Sequence, residues 1–398
     1  MLALSSLTLA QGTRTTGRSF SEVAVEAFDE WDANDDGTLS AAEIDHLVVS
    51  PKYKGEHAAA LAAMKLVVRS TKITPPVLTL DFVQNHSKDP AGEALPSEMP
   101  RANEPEGPDA KKPTPGPSRP PSSLERRYQS ALRKIKTLKT DLFADETPDI
   151  DRCRQGPLGD CFFVAGVGAF VHRDSAAVKK MVRQERSETG EVSYLVTFGD
   201  GKSVTIPALT DAQYGLTSTT GGDGLWLNVL EQAYGSVRNN SRPEDKRTKE
   251  ASDAIARGGS LGTTLRAFTG HVIDRTRLRA NADKDPQLVD KVKDSLAAAM
   301  KEKRLAGAST GSTTPLPPGV NGKHAYAILG YDEASGLIKI WNPHGNAFRP
   351  KGEPGLERGY ETKAGIFQVP AAEFVKIFDS MVVETDRPAT EPTPRGRS

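Results

Sequence analysis

Ten of the 32 residues from Pro90 to Pro121 are proline, interspersed with Glu, Lys, Ser and Gly. Such a segment buries too little apolar surface to offset the entropy of ordering it, so it is expected to run extended and disordered between the parts it joins. No single hydrophobic core can pass through it. The 398 residues must therefore build at least two units, as their number also favours. The expected division is a frayed start at 1–18, a first unit at 19–89, the linker at 90–121, a larger unit at 122–387 and a disordered tail at 388–398, "PATEPTPRGRS".

Charge and cysteine content exclude several functions. Lys plus Arg and Asp plus Glu both number 52, so no basic field exists to hold a nucleic acid. Only Cys153 and Cys161 carry thiols. That is too few for a disulfide framework and wrongly spaced for a thiolate zinc site, leaving free thiols. The longest apolar run, "CFFVAGVGAFV", is about half of what a membrane span needs. The opening "MLALSSLTLAQG" lacks the basic lead of an export signal. It reads as the frayed start of a cytoplasmic protein, or, if the true start lies upstream, as the remnant of a signal in an exported one.

In the first unit, Ala24, Phe28 and Trp31 recur at helical spacing. After them comes "DANDDGTLSAAE", Asp32 to Glu43. A hard cation needs many oxygens from one short segment, and this loop meets each position of the twelve-residue EF-hand calcium loop. Asp32, Asn34 and Asp36 supply side-chain oxygens, Thr38 its carbonyl, Ser40 a water-bridged contact and Glu43 a closing carboxylate, with Gly37 at the sharp turn. Ca²⁺ is the implied cofactor. Residues 55–86 fill the place of a partner hand, but "STKITPPVLTLDF" has almost no acidic ligands. It is expected to support the fold without binding an ion.

The larger unit mixes periods. A charged helix is expected near "SLERRYQSALRKIKTL", a buried one from Cys161, and another at "GLWLNVLEQAYG" with Trp226 and Tyr234 as core packing; "VSYLVTF" and "SVTI" flank the turn "GDGK". Two further strands, "HAYAILGYD" and "GLIKIWNP", enclose "DEASG". Pairing them in register sets Leu329 opposite Leu337 and His324 opposite Asn342. The expected class is α+β, a helix-rich half and a strand-rich half with a cleft between them. In "RQGPLGDCFF", Asp160 is placed to cap the helix that Cys161 begins, where the helix dipole lowers a thiol pKa. A thiolate nucleophile also needs a base, a group to orient that base and an oxyanion donor. His324, Asn342 and Gln155 are candidates for these roles, and His344, two residues past Asn342, competes as the base.

"QGPLGDCFF", "LWLNVLEQAYG", "GKHAYAILGYD" and "WNPHGN" together resemble the signature stretches of the calpain-type cysteine proteases, in their order. "GGSLGTTLRAFTG" and "GIFQVPAAEFVKIFDS" are similar to further segments of that family. The resemblance implies a papain-like two-lobed fold and endopeptidase activity on protein or peptide substrates. It also implies Cys161 as nucleophile, His324 as base, Asn342 as orienter and Gln155 as oxyanion donor. Three places depart from the family pattern: Phe162 and His344 stand where it usually has Trp, and Lys323 where it has a small residue. The acidic loop precedes the protease part here, whereas familiar calpains carry their EF-hands after it. The expectation is a calcium-linked endopeptidase able to cut its own linker. The alternatives are an inactive protease fold serving calcium-dependent interaction, and transglutaminase-like acyl transfer to amines.

Overall fold

The structure, a computed structural model, describes residues 17–69, 78–85, 124–144, 147–312 and 315–389. The linker at 90–121, and the loop between the two halves of the expected partner hand, lie outside the described residues. The first unit contains α1 (Phe20–Trp31), β1 (Thr38–Leu39), α2 (Ala41–Val48), α3 (Gly55–Val68), β2 (Leu78–Thr79) and α4 (Leu80–Asn85). Ser19 and Ser40 start α1 and α2 with reciprocal capping boxes to Glu22 and Glu43. β1 pairs antiparallel with β2, Thr38 to Thr79 and Leu39 to Leu78.

The larger unit continues with α5 (Leu124–Lys136), α6 (Cys161–Arg173), α7 (Ser175–Met181), β3 (Val182–Arg186), β4 (Val192–Thr197), β5 (Ser203–Pro207), α8 (Asp211–Leu216), α9 (Trp226–Asn240) and α10 (Leu261–Thr269). It closes with β6 (His271–Arg277), α11 (Leu288–Lys301), β7 (Ala306–Ser309), β8 (Ala325–Asp332), β9 (Leu337–Trp341), β10 (Ile366–Pro370), α12 (Ala371–Ile377) and β11 (Ser380–Pro388). β3, β4 and β5 form a small antiparallel sheet, and the other six strands form a second in the order β10-β9-β8-β7-β11-β6. Along β8 the pleat divides the side chains. Ala325, Ala327 and Leu329 join the core containing α6, α9 and α10. Tyr326 and Ile328 join a core with α11 and α12 on the other face. Trp226 and Tyr234 are buried in the first of these cores, as packing residues.

Three expectations need correction. The first unit is not separate. α3 has no polar face: Ala58 to Met64 are all fully buried, because α1 and α2 cover one side while α5 and α8 cover another. A single core runs from Phe20 and Trp31 through α3 to Tyr128, Leu132, Ala212 and Leu216. Polar contacts seal the seam. The buried Lys65 ammonium bridges Asp45 and Asp253, at 2.6 Å from Asp253, and the Thr210 hydroxyl donates to the Val48 carbonyl at 2.6 Å.

The second correction is the hairpin register. Ala327 lies opposite Trp341 and Ile328 opposite Ile340, then a bulge at Leu329 resets the pairing to Gly330–Lys339 and Asp332–Leu337. The strands reach further toward the turn than expected, because Gly336 at φ 68° closes a tighter loop. Near the site the offset is two residues, an even number, so His324 and Asn342 keep a common face as diagonal neighbours. Third, β11 extends through Pro388, which pairs with His271, and the Ala389 N–H donates to Gly270. The tail therefore does not begin at 388.

The helix bearing Cys161 meets the large sheet at Gly168. A Cβ there would overlap the ring of Trp341, which is fully buried at the end of β9. Gly168→Ala gains about 0.5–1 kcal/mol of helix propensity but overpacks a rigid contact, typically at about 1–3 kcal/mol. The net expectation is a lower melting temperature in calorimetry; an unchanged or higher one would contradict this packing.

Candidate active site

Gln155, Pro157, Leu158, Gly159, Cys161, Gly258, Gly259, Thr310, Lys323, His324 and His344 line one cleft of about 450 Å³. Past Gly259 and Ser309 it adjoins a hollow of about 700 Å³ containing Arg266 and Arg275. One wall arrives on the loop before α6. The Gly159 N–H donates to the Ala256 carbonyl at 2.9 Å, and a Cβ on Gly159 would come within 2.6 Å of that oxygen. A glycine two residues before the thiol is what lets residues 256–259 close against it. Phe162 is buried under this wall, with the Arg238 guanidinium over its ring.

The opposite wall carries the imidazole. His324 is 6% exposed and its Nε2 lies 2.8 Å from Asn342 Oδ1. With Nε2 donating to that carbonyl oxygen, Nδ1 is the nitrogen left with a lone pair. Asn342 is itself held. Its amide donates to Asn321 Oδ1 at 2.9 Å, and its Oδ1 accepts the His344 N–H at 3.0 Å. Tyr326 packs edge-on against the His324 ring, and its hydroxyl clasps the Asn321 backbone. Asn321 was not foreseen from the sequence. Set among the turn residues of "PPGVNGKH", it reads as ordinary loop chemistry, and only the fold reveals its second amide partner.

Gln155 is brought to the cleft, with its N–H bonded to Pro343 O and its Nε2 donating to Leu158 O at 2.7 Å. Its Oε1 is buried without a partner. Lys323 sits at φ 52° just before the histidine, a left-handed conformation that disfavours a residue with a Cβ by about 1–2 kcal/mol. The His344 ring lies 4.4 Å from that of His324, centroid to centroid, tilted by 37°, so it abuts His324 instead of replacing it against Asn342.

The electrostatics depart from expectation. Asp160 makes no capping bond. Burial pushes the Cys161 thiol up, opposed by the Ala325 N–H and reinforced by Asp160. The helix terminus alone would lower the thiol, but desolvation in the cleft outweighs it. Cys153, the other thiol, is buried and pushed up more strongly. Burial, then the nearby His344, pull His324 down to about 4.

The profile of the calpain-family cysteine proteases matches residues 126–353, more than half of the chain. The chain belongs to the calpain family of cysteine proteases. No curated protein matches it. The match spans Cys161, His324 and Asn342, while the acidic loop lies before it. Calpain-family membership supports cysteine protease activity, and among the described residues no single helix is long and apolar enough to cross a membrane.

In the acidic loop, Asp32 accepts the Gly37 N–H at 2.7 Å and the Asp36 N–H at 3.3 Å. Asp36 accepts the Thr38 N–H at 2.9 Å. Glu43 Oε2 accepts the Ser40 N–H at 2.8 Å, but its Oε1 is buried and unpartnered. Among the described residues no three His, Cys, Asp or Glu side chains are gathered as a metal cage.

The depressed His324 value carries a stability consequence. Between pH 6.5 and about 4 the unfolded chain binds a proton that the folded imidazole refuses, so stability falls as pH drops through that window. The loss is on the order of 2–3 kcal/mol. Urea unfolding at pH 7 and pH 4.5 should show a smaller acid loss in His324→Ala than in the wild type; equal losses would contradict the buried neutral ring.

Proposed function

We propose that this calpain-family protein is a calcium-linked cysteine endopeptidase. The observation that supports this most is the 2.8 Å contact between His324 Nε2 and Asn342 Oδ1 in the cleft that Cys161 also lines. His324 takes the Cys161 proton at Nδ1, and the thiolate attacks the scissile carbonyl. Asn342 fixes the ring without adding a charge. Turning its Nε2 hydrogens from Leu158 O toward the cleft lets the Gln155 amide receive the oxyanion. The imidazolium then protonates the leaving amine, and the same nitrogen activates the water that hydrolyses the thioester. Burial that disfavours either charge alone favours their transfer as a pair once substrate excludes water.

Calcium is proposed in the loop of the first unit, with Asp32, Asn34, Asp36, Thr38, Ser40 and Glu43 as its holders. Supporting this are the all-oxygen donor set, the turn at Gly37 with φ 78° and the orphaned, buried Glu43 Oε1. Bound there, the ion would supply the charge neutralisation that these clustered carboxylates need. Self-cleavage within 90–121 also belongs to this reading.

Two measurements test these parts separately. Hydrolysis of an unfolded protein substrate should vanish in Cys161→Ala and persist in Cys153→Ala; product masses showing amine-linked adducts instead of fragments would favour acyl transfer. Activity surviving in Cys161→Ala would end the mechanism. Isothermal titration should show a single calcium bound per chain, weakened at least tenfold in Glu43→Gln. Binding that the variant leaves unchanged would remove the loop as the site.

A further inference from the structure

The cleft at Cys161 does not end beside the thiol. Gly259 and Ser309 border both it and the hollow of about 700 Å³, so a peptide lying across Cys161 and His324 has a second space beside it for a side chain. On β6, Ile273 and Arg275 are two residues apart and share a face. Arg275 pairs with Val382 of β11, and Ser380 lies two residues from that valine on the same face. The Arg275 guanidinium donates to Ser380 Oγ at 3.3 Å. The first turn of α10 covers this surface at Gly262, where a Cβ would meet Ile273 and Val382 at 3.6 Å, and the next turn brings Arg266 to the lining. The hollow thus has an apolar floor and a cation held at its side.

The chain as a whole has as many cations as anions, but here they are not balanced. No Asp or Glu lines the hollow or the cleft, whereas Arg266 and Arg275 line the one and Lys323 the other. The carboxylates next along the bordering strands are tied to other cations: Asp274 to Arg387 at 2.8 Å, Asp379 to Arg279, and Glu384 to Arg173 at 2.6 Å. Among the described residues the Arg275 guanidinium meets a hydroxyl and no carboxylate. Its planar fork of N–H donors suits a carboxylate, which can take two of them at once.

We propose that the hollow is a specificity subsite for an acidic residue of the substrate. The stem of a substrate Asp or Glu lies on Leu261, Ile273 and Val382, and its carboxylate binds Arg275, with Arg266 adding to the positive field. The inference rests on the cysteine endopeptidase reading and names its substrate class: extended segments with an acidic side chain close to the scissile bond. Arg275 is exposed, so water screens the pairing and the preference for Glu over the uncharged Gln is about threefold to tenfold.

The test is to digest a random-sequence peptide library with the full chain and read the cut sites by mass spectrometry. Asp and Glu should be enriched at one fixed position near the cut, by about threefold to tenfold. Arg275→Glu should abolish that enrichment and favour Lys and Arg at the same position, a reversal that a merely structural role would not produce. Should Arg275→Glu fail to fold, Arg275→Gln must lose the acidic preference without reversing it. No acidic enrichment in the wild type, or enrichment that the Arg275 variants leave unchanged, overturns the proposal. A second readout needs no hydrolysis. Fluorescence anisotropy compares the binding of two labelled alanine–leucine heptapeptides, one with a central Glu and one with Gln, to Cys161→Ala and to Cys161→Ala/Arg275→Glu. The Glu peptide should bind Cys161→Ala the more tightly, and the double variant should lose that contrast; equal binding of the two peptides to Cys161→Ala overturns the subsite. Hydrolysis without acidic preference therefore removes the subsite alone, whereas an intact Glu-over-Gln contrast in a chain that cuts no peptide removes the protease reading alone.

Discussion

The face of Trp341 rests where Gly168 has no side chain, and the geometry of the site follows from that contact. α6 brings the thiol from the helical half, and β9 brings Asn342 one residue beyond the tryptophan. Because the helix backbone lies directly on the indole, the separation between Cys161 and Asn342 is set by packing atoms with almost no rotamer freedom. Arg173, at the far end of the same helix, pairs with Glu384 of β11 at 2.6 Å. The helix is thus fixed to the sheet at its middle and at its far end.

Much of this was legible. Cys161 at a helix start, His324 and Asn342 flanking a strand pair, and the buried faces of α6 and α9 follow from spacing and period alone. What the sequence concealed was anything that depends on which surfaces meet. The bulge at Leu329 has no local signature, and the site kept its common face only because the resulting offset was even. The Asn321 amide looked like a loop residue, since it finds its partner through the tertiary fold. The raised Cys161 thiol reflects burial between two halves that a linear reading treats one at a time. One signal was present in the sequence: the apolar run from Ala58 to Met64 leaves the middle of α3 without a solvent face.

That helix makes the first unit part of the larger one. Asp45 follows Glu43 by two residues on α2, and the Lys65 that it contacts also binds Asp253. From there the chain runs to Arg257, whose guanidinium donates to the Arg69 carbonyl at 3.1 Å, and on to the glycines lining the cleft. A polar chain of contacts therefore joins the end of the acidic loop to a wall of the site, through residues that have no role in the chemistry.

The shared core also changes what the proline-rich segment is for. Asn85 closes α4 beside α1, and Leu124 opens α5 against α3 and α1, so both ends of the intervening chain are moored in one body. The connection between them closes a loop on that body, and the length of such a loop enters the stability only logarithmically. A chain severed there would persist as two complementing fragments, held by the apolar seam of α3 and the buried Lys65. Dissociation would then demand exposure of that core, which covalent continuity does nothing to protect.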